Sequence, residues 1–559
     1  MVVKNELDRA RLFDILGLVV ITLLTHWMLL VNEGIYAEDW GLFPALKYSD
    51  WDAFKDVFWS SGVPTSILYF WPLSLFVNTL FFKAINFSLI ILGSIFVYLI
   101  GLKTRFLNRS EAFWIAVLCI VLPIYKVYVI STYYYYIAAY VVFLSATYVY
   151  LKMNSASHGW SRLLLRIVSL FLYAFSFNIS SLLVFYFSAL ALFYAVYRQS
   201  KQAASTDFSL IFKDIIGFIK SNLDFFVLPF VYWIAKQIFT PTSGLYSNYN
   251  GFNISFASFT KHVVAFIING VWMPISDSLF LLLIISAGIV IVCAFLPKGV
   301  RRSVVALKSD GIRDSRRSRQ ILIFGILLLF AAIFPYALVG KAPEPGVLMR
   351  HALLISLPMG VILVGLYGLL RERLKVNRKI AYSLVGIFIV CLQFGWWQSY
   401  IPWQARWVKD QSVTLYLESN PNWSNYDIYW IEDKFLIDGV SNEYGFADYT
   451  ARFRMLWGGQ TRMAFTPEHE KFFGVESARG EKPVKVQYME RIRYFCNSWA
   501  SAKDIDLVGS QAVLKIEPGE AQISNLKLAV SYWYYRFFKP ANLQSFLHSV
   551  VKVSLTALP

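Results

Sequence analysis

Eleven apolar runs, at 12–32, 84–102, 111–129, 132–151, 163–178, 180–197, 223–239, 275–297, 321–340, 347–370 and 380–398, have the length needed to cross a hydrocarbon core about 30 Å thick. Backbone polar groups find no water at that depth, so each run is expected to be a helix. The chain therefore reads as an α-helical polytopic membrane protein of about 11 transmembrane helices. Composition agrees: 57 % of the 559 residues are hydrophobic, 16 % are charged, and mean hydropathy is +0.52. That is more apolar surface than a soluble core can hide, which excludes a soluble enzyme, a disordered chain and a collagen.

Basic residues fix the expected orientation. Lys103/Arg105/Arg109, Lys152/Arg162, Arg198/Lys201/Lys213/Lys220, the cluster from 298 to 319 and Arg371/Arg373/Lys375/Arg378/Lys379 fall on the side of Lys4, Arg9 and Arg11, which the positive-inside rule makes cytoplasmic. The net charge is +17, but from Tyr400 onward 18 basic residues face 17 acidic ones, leaving 34 and 18 for the first 399. The excess thus lies beside the membrane, and no nucleic-acid partner is expected from it. The run 12–31 lacks a small-residue cleavage site and is expected to be a retained span. Cys119, Cys293, Cys391 and Cys496 have neither metal-ligand nor disulfide-framework spacing.

An odd number of spans sends the loops 33–66, 240–274 and 341–346, with everything after 399, to the opposite compartment. Two domains follow: a transmembrane domain at 1–399 with external loop 33–66, and an extracytoplasmic mixed α/β domain at 400–559. The latter shows strand-like runs at 426–431 and 512–516 and a helical stretch at 449–456. Segment 67–82 is apolar but contains Pro72, and is expected to be a hairpin or interfacial helix.

The first external loop carries adjacent carboxylates, Glu38 and Asp39, followed by Trp40. At a membrane face, partial desolvation raises carboxylate basicity, which suits a general base or a metal ligand. Asp50-Trp51-Asp52 has a metal-binding spacing, yet Trp51, Phe54 and Phe58 recur at helical intervals, so 49–59 reads as an amphipathic interfacial helix facing lipid.

With these features the chain resembles the GT-C superfamily of polytopic glycosyltransferases, which share an internal amino terminus, about this number of spans, an acid in the first external loop and a carboxy-terminal extracytoplasmic domain. The resemblance implies transfer of a sugar from a polyprenyl-phosphate donor to a glycan, lipid or protein acceptor at the external face of a plasma (inner) membrane. Carried onto this sequence, the loop acid is Asp39 with Glu38 beside it, either of which can be the base, and attack in line inverts the anomeric carbon. No Asp-any-Asp motif stands at that position, so a divalent metal is not indicated and no cofactor is assigned.

A phosphate donor needs cations on the external side. Lys341 in a Pro/Gly-broken loop, Arg350 and His351 at the start of the run 347–370, and Lys126 after Pro123 are the candidates. Trp40, Tyr444 and Trp457 are candidate acceptor contacts. The four tyrosines 133–136 read as an aromatic belt, and Lys236 with the loop 240–253 as a lid or an ordinary connector. Two rival classes remain at this level. One is a polysaccharide polymerase or O-antigen ligase, which would carry its arginines in a large internal loop. The other is a transporter or lipid flippase, which would show polar residues deep in several spans, or a repeat.

Overall fold

The computed structural model describes residues 2–559 apart from 50, 105, 155–157, 202–207, 244–245, 248–250, 252–254, 279–314, 375–377, 441–444, 459–461, 468–469, 471–474, 476–478, 481–483, 488–503, 508 and 520–522. The chain is a helical membrane protein with a small carboxy-terminal sheet. Its first part runs α1 (Val2–Leu30), α2 (Asp39–Lys47), α3 (Trp51–Ser60), α4 (Thr79–Thr104), α5 (Arg109–Val121), α6 (Tyr134–Met153), α7 (Gly159–Ser176), α8 (Ser180–Ser200), α9 (Phe208–Ser221), α10 (Leu223–Phe239), α11 (Phe256–Ala265), α12 (Ser315–Leu338), α13 (Ser356–Leu374) and α14 (Arg378–Ser419). Among the described residues seven helices are long and apolar enough to cross a membrane, or eight if the pair Ile211–Ser221 and Leu223–Phe239, bent by 63°, is one span.

Six of the expected runs coincide with the seven, the run 223–239 is α10 itself within the bent pair, and the others differ for readable reasons. The run 111–129 is helical only to Val121, because Leu122 precedes Pro123 and is held extended at φ −65°, ψ 116°. The carbonyl of Ile120 is met by the indole N–H of Trp396 (3.1 Å) and by His26 Nε2 (3.2 Å), so the break leaves it satisfied. α7 carries Arg162 and Arg166, and the latter pairs with Asp224 on α10. The run 347–370 opens as a 3-10 turn, Val347–Ala352, ahead of α13, so Arg350 and His351 precede the helix instead of lying inside a span. Most of 275–297 is outside the described residues, but a span-length helix stands at Phe256–Ser278, where a loop was expected. At 67–82 the chain is broken, as its proline suggested: a short helix Ile67–Phe70, a 3-10 turn Trp71–Leu75, then α4. α3 is helical as expected, but Phe58 does not face lipid; it is buried 5.3 Å from the Phe70 ring.

α14 is a single 42-residue helix, so the expected boundary at 399/400 falls in its middle. Beyond it come β1 (Ile428–Asp433), α15 (Gly445–Trp457), β2 (Met463–Phe465), β3 (Val484–Gln487), β4 (Asp504–Leu507), β5 (Gln511–Pro518), α16 (Asn525–Phe538), α17 (Leu543–Val550) and β6 (Val551–Ala557). Four strands form a sheet in the order β2-β1-β5-β6, parallel except for the antiparallel β5–β6 edge; β3 and β4 pair antiparallel apart from it. Central β1 buries Ile428, Tyr429, Trp430 and Ile431 in succession, as a strand covered on both faces must.

Candidate functional site

The site begins where α1 ends. Asn32 gathers the turn that follows: its Oδ1 accepts from Gly34 N (2.9 Å), the Tyr36 hydroxyl (3.0 Å) and the Lys83 ammonium (2.6 Å), and Lys83 also reaches the Gly34 carbonyl (2.7 Å). Lys83 is fully buried. Ala37 then adopts φ 51°, a left-handed conformation that costs a residue with a Cβ about 1–3 kcal/mol and reverses the chain into α2. The reversal turns two neighbouring carboxylates to different surroundings.

Asp39 is wholly buried. Its oxygens accept from Ser131 N (2.8 Å), Thr132 N (2.5 Å) and the Thr132 hydroxyl (2.6 Å), with Tyr36 N at 3.4 Å. Burial pushes the carboxyl up to about 6, against the pull of Thr132, Ser131 and Lys83. The basicity expected of it is present, but its lone pairs are taken and no substrate can touch it. Asp39 holds α2 to the turn Ser131–Tyr133.

That turn delivers Tyr133 to Glu38. The Tyr133 hydroxyl donates to Glu38 Oε2 (2.6 Å) and accepts from Arg350 Nη1 (2.8 Å), which also donates to Glu38 Oε1 (2.9 Å). The Arg350 guanidinium lies 5.3 Å from the Tyr133 ring centroid. Glu38 keeps 27 % side-chain exposure against 15 % for Arg350, so its side chain is only partly enclosed. Gly340 and Gly346, at φ 67° and 90°, shape the loop that brings Arg350 here from the end of α12. Arg350 therefore has a partner 312 residues away in sequence, and it is Glu38 rather than the nearby, exposed Glu344.

His351 is buried with its ring 5.4 Å from Tyr336, and burial, Arg350 and Lys341 together hold it down to about 3, so it is neutral at physiological pH. Half-buried Lys341 is lowered to about 7 by burial and by Arg350. Lys126 instead forms an ion pair with Asp277 (3.4 Å). Among the acceptor candidates, Trp40 is buried under the Arg452 guanidinium (4.9 Å). Half-buried Trp457 stacks on Phe453 at 5.0 Å with the Arg462 guanidinium 5.5 Å away, so each of the two rings is engaged in packing. Tyr444 lies outside the described residues. Among the described residues no three His, Cys, Asp or Glu side chains converge as a metal would require.

No family model, curated protein or solved structure matches the chain.

Two participants escaped the sequence reading. Tyr133 was absorbed into an aromatic belt, although its neighbours Ser131 and Thr132 are the polar residues that Asp39 captures. Lys83 left a clearer mark, a lone lysine at the head of an apolar run, which at membrane depth calls for a partner.

Beneath the site, at the junction with the terminal domain, lies a second group of charges. Arg406 donates to Asp410 (3.1 Å) and to Asp448 (2.7 Å), Arg452 pairs with Asp410 (2.9 Å), and Lys409 pairs with Asp433 (2.6 Å). A cavity of about 10 Å³, room for one water, is bounded by Ala37, Tyr36, Arg406, Asp410 and Asp448. The Tyr48 hydroxyl donates to the Arg454 carbonyl (2.9 Å), tying α2 to α15. The loop bearing Glu38 is thus gripped from one side by the helical bundle and from the other by the sheet domain.

Proposed function

We propose that the chain is a GT-C-type glycosyltransferase that moves a sugar from a polyprenyl-phosphate donor to a glycan, lipid or protein acceptor, with Glu38 as the base. The observation that supports this is the partly open carboxylate held between a tyrosine hydroxyl and an arginine where the helical bundle meets the terminal domain. In the resting arrangement Arg350 neutralises Glu38. When a donor phosphate enters, the guanidinium exchanges Glu38 for the phosphate and frees the carboxylate to accept a proton from the acceptor hydroxyl. The acceptor oxygen bonds to the anomeric carbon, the bond to the phosphate oxygen breaks, and Arg350 with Lys341 carries the charge that develops on the leaving phosphate. In-line displacement inverts the sugar. Purified protein incubated with a panel of radiolabelled polyprenyl-phosphate sugars should label an acceptor; no transfer from any donor of that class would count against the enzyme reading.

The role of Lys341 makes donor binding pH-dependent. Its ammonium loses a proton as pH rises through about 7, so the cation is present below neutrality and absent above it. The KM for the donor is expected to rise roughly tenfold between pH 6 and pH 9, since one charge-assisted hydrogen bond contributes about 1.5–3 kcal/mol. Lys341→Arg should flatten the profile, and an unchanged slope in that variant removes Lys341 from the donor site.

Orientation belongs to the same reading. Asp14 pairs with Arg109, and Glu111 with Arg317, so basic loops meet the start of α1 at the end of the bundle away from Glu38. We place that end in the cytoplasm of a bacterial plasma membrane and the terminal domain outside, with eleven crossings as the working topology. Cysteines introduced at Lys103 and Ser419 should label from opposite sides; labelling from one side overturns it.

A further inference from the structure

α16 is apolar on two faces, and the fold covers one of them. Leu528, Ala529 and Tyr532 are buried on the inner face, toward α14. On the other, Leu526, Val530, Trp533 and Phe537 recur at i, i+4, i+7 and i+11, the spacing of a single helical stripe. Leu526, Val530 and Phe537 are 50–59 % exposed and Phe538, at the end of the helix, 77 %. A soluble domain has no reason to keep such a stripe in water.

The position of the helix says what covers it. Trp533 packs on Trp27 of α1 at 5.6 Å. Trp27 closes the row Phe13, Leu16, Val20, Leu23 and Leu24 along the exposed side of α1, the surface that this span offers to lipid. The stripe on α16 continues that row. Trp27 is three residues from the end of α1, about 5 Å from it at 1.5 Å per residue, a distance comparable with the ~5–10 Å to which interfacial helices bury their apolar face. The Arg536 guanidinium pairs with Glu33 and the Tyr532 hydroxyl lies 3.4 Å from the same carboxylate, fixing the helix beside the exit of α1. Lys527 and Lys539 flank the stripe at either end and are exposed, placed to meet lipid phosphates while the rings enter the acyl layer.

We infer that α16 is an in-plane membrane anchor: the outer stripe Leu526, Val530, Trp533 and Phe537 lies in the bilayer leaflet nearest the terminal domain, so that this domain is held to the lipid surface as well as to α14. The inference concerns a lipid partner and is independent of the sugar-transfer chemistry.

The full-length protein, with its native cysteines replaced by serine and monodispersity confirmed, is labelled with bimane in three separate variants, Val530→Cys, Phe537→Cys and the control Ser419→Cys, and reconstituted into phosphatidylcholine–phosphatidylglycerol vesicles. Lipids carrying a doxyl group at acyl carbon 5 should quench the labels at 530 and 537 at least threefold more than the label at 419, and aqueous iodide should show the reverse order. Iodide quenching at 530 and 537 equal to that at 419, without doxyl quenching, overturns the anchor. Shielding from both quenchers also overturns it, because the stripe is then covered by a second copy of the chain or another protein. Since the readout is the position of the label, it stands whether or not the enzyme reading survives.

Discussion

Glu38→Gln is expected to lower the rate of sugar transfer about 10²- to 10⁴-fold, the usual cost of losing a general base, while leaving the fold intact. The amide keeps an oxygen to accept from Arg350 Nη1 and keeps its partly exposed position, so the loss of stability should stay below about 1.5 kcal/mol. Asp39→Asn separates the two carboxylates. Whichever way it turns, an amide there sets an NH₂ group against one backbone N–H donor, that of Ser131 at one oxygen position or that of Thr132 at the other, and is expected to cost about 1–3 kcal/mol of stability. It should reduce transfer only as far as Tyr133 is displaced. On the proposed reading, the loop acid that the family resemblance placed first acts as a positioning residue and Glu38 as the base. Rates from saturating-donor kinetics, set beside melting temperatures of both variants in detergent, decide the matter. Asp39→Asn that melts like wild type but is inactive, together with an active Glu38→Gln, would falsify the assignment.

The second large effect is structural. Asp410→Ala is expected to destabilise the junction between bundle and sheet domain by about 3–5 kcal/mol, because it strips a shared carboxylate from the buried Arg406 and Arg452 and leaves two buried cations facing the carboxyl of Asp448. Asp448→Asn should be far milder. Burial, reinforced by Asp410 and opposed by Arg406, pushes the Asp448 carboxyl up to about 7. The folded protein therefore retains a proton that the unfolded chain releases above about 4. This contribution is fully present below pH 4 and is lost as pH rises to about 7. An amide imitates the protonated form, so the variant should resemble wild type at pH 5 and lose less stability than wild type on going to pH 8. Limited proteolysis of the junction at both pH values reads both effects, and equal susceptibility of Asp410→Ala and wild type would show that the charges are not holding it.

Much of the bundle was legible because a span declares itself by length and apolar content alone, with no partner needed. α4, α6, α8 and α12 stand close to where their apolar runs placed them. The break in 67–82 was legible from Pro72, whereas the end of α5 was passed over although Pro123 stands just past it. The helix beginning at Phe256 was missed because asparagine, glycine and serine dilute its hydropathy, although Ser255, which caps it by accepting from Ser258 N, was visible. The site was half legible. Position after the first span pointed to Glu38 and Asp39, and a cation just inside an apolar run pointed to Arg350, but nothing local tells which carboxylate is enclosed. That depends on Ser131 and Thr132 arriving from 92 and 93 residues away. The buried charges were illegible for a different reason: Arg406/Asp410 and Asp448/Arg452 have the four-residue spacing of ordinary solvated pairs on a helix surface.

The length of α14 has a mechanical meaning. At 1.5 Å per residue its 42 residues extend roughly 60 Å, about twice the hydrocarbon thickness of a bilayer. Half of that shaft stands clear of the hydrocarbon, where the Tyr416 hydroxyl donates to the His548 carbonyl of α17 and Lys409 pairs with Asp433 of β1. A change in tilt of about 10° within the membrane would swing the free end by roughly 5 Å over the ~30 Å of protruding helix. The bundle and the sheet domain are thus joined by a continuous helix, with Pro402 near its middle, and not by a tether. Bilayer thickness, which sets helix tilt, becomes a variable that the spacing across the Glu38 site can feel.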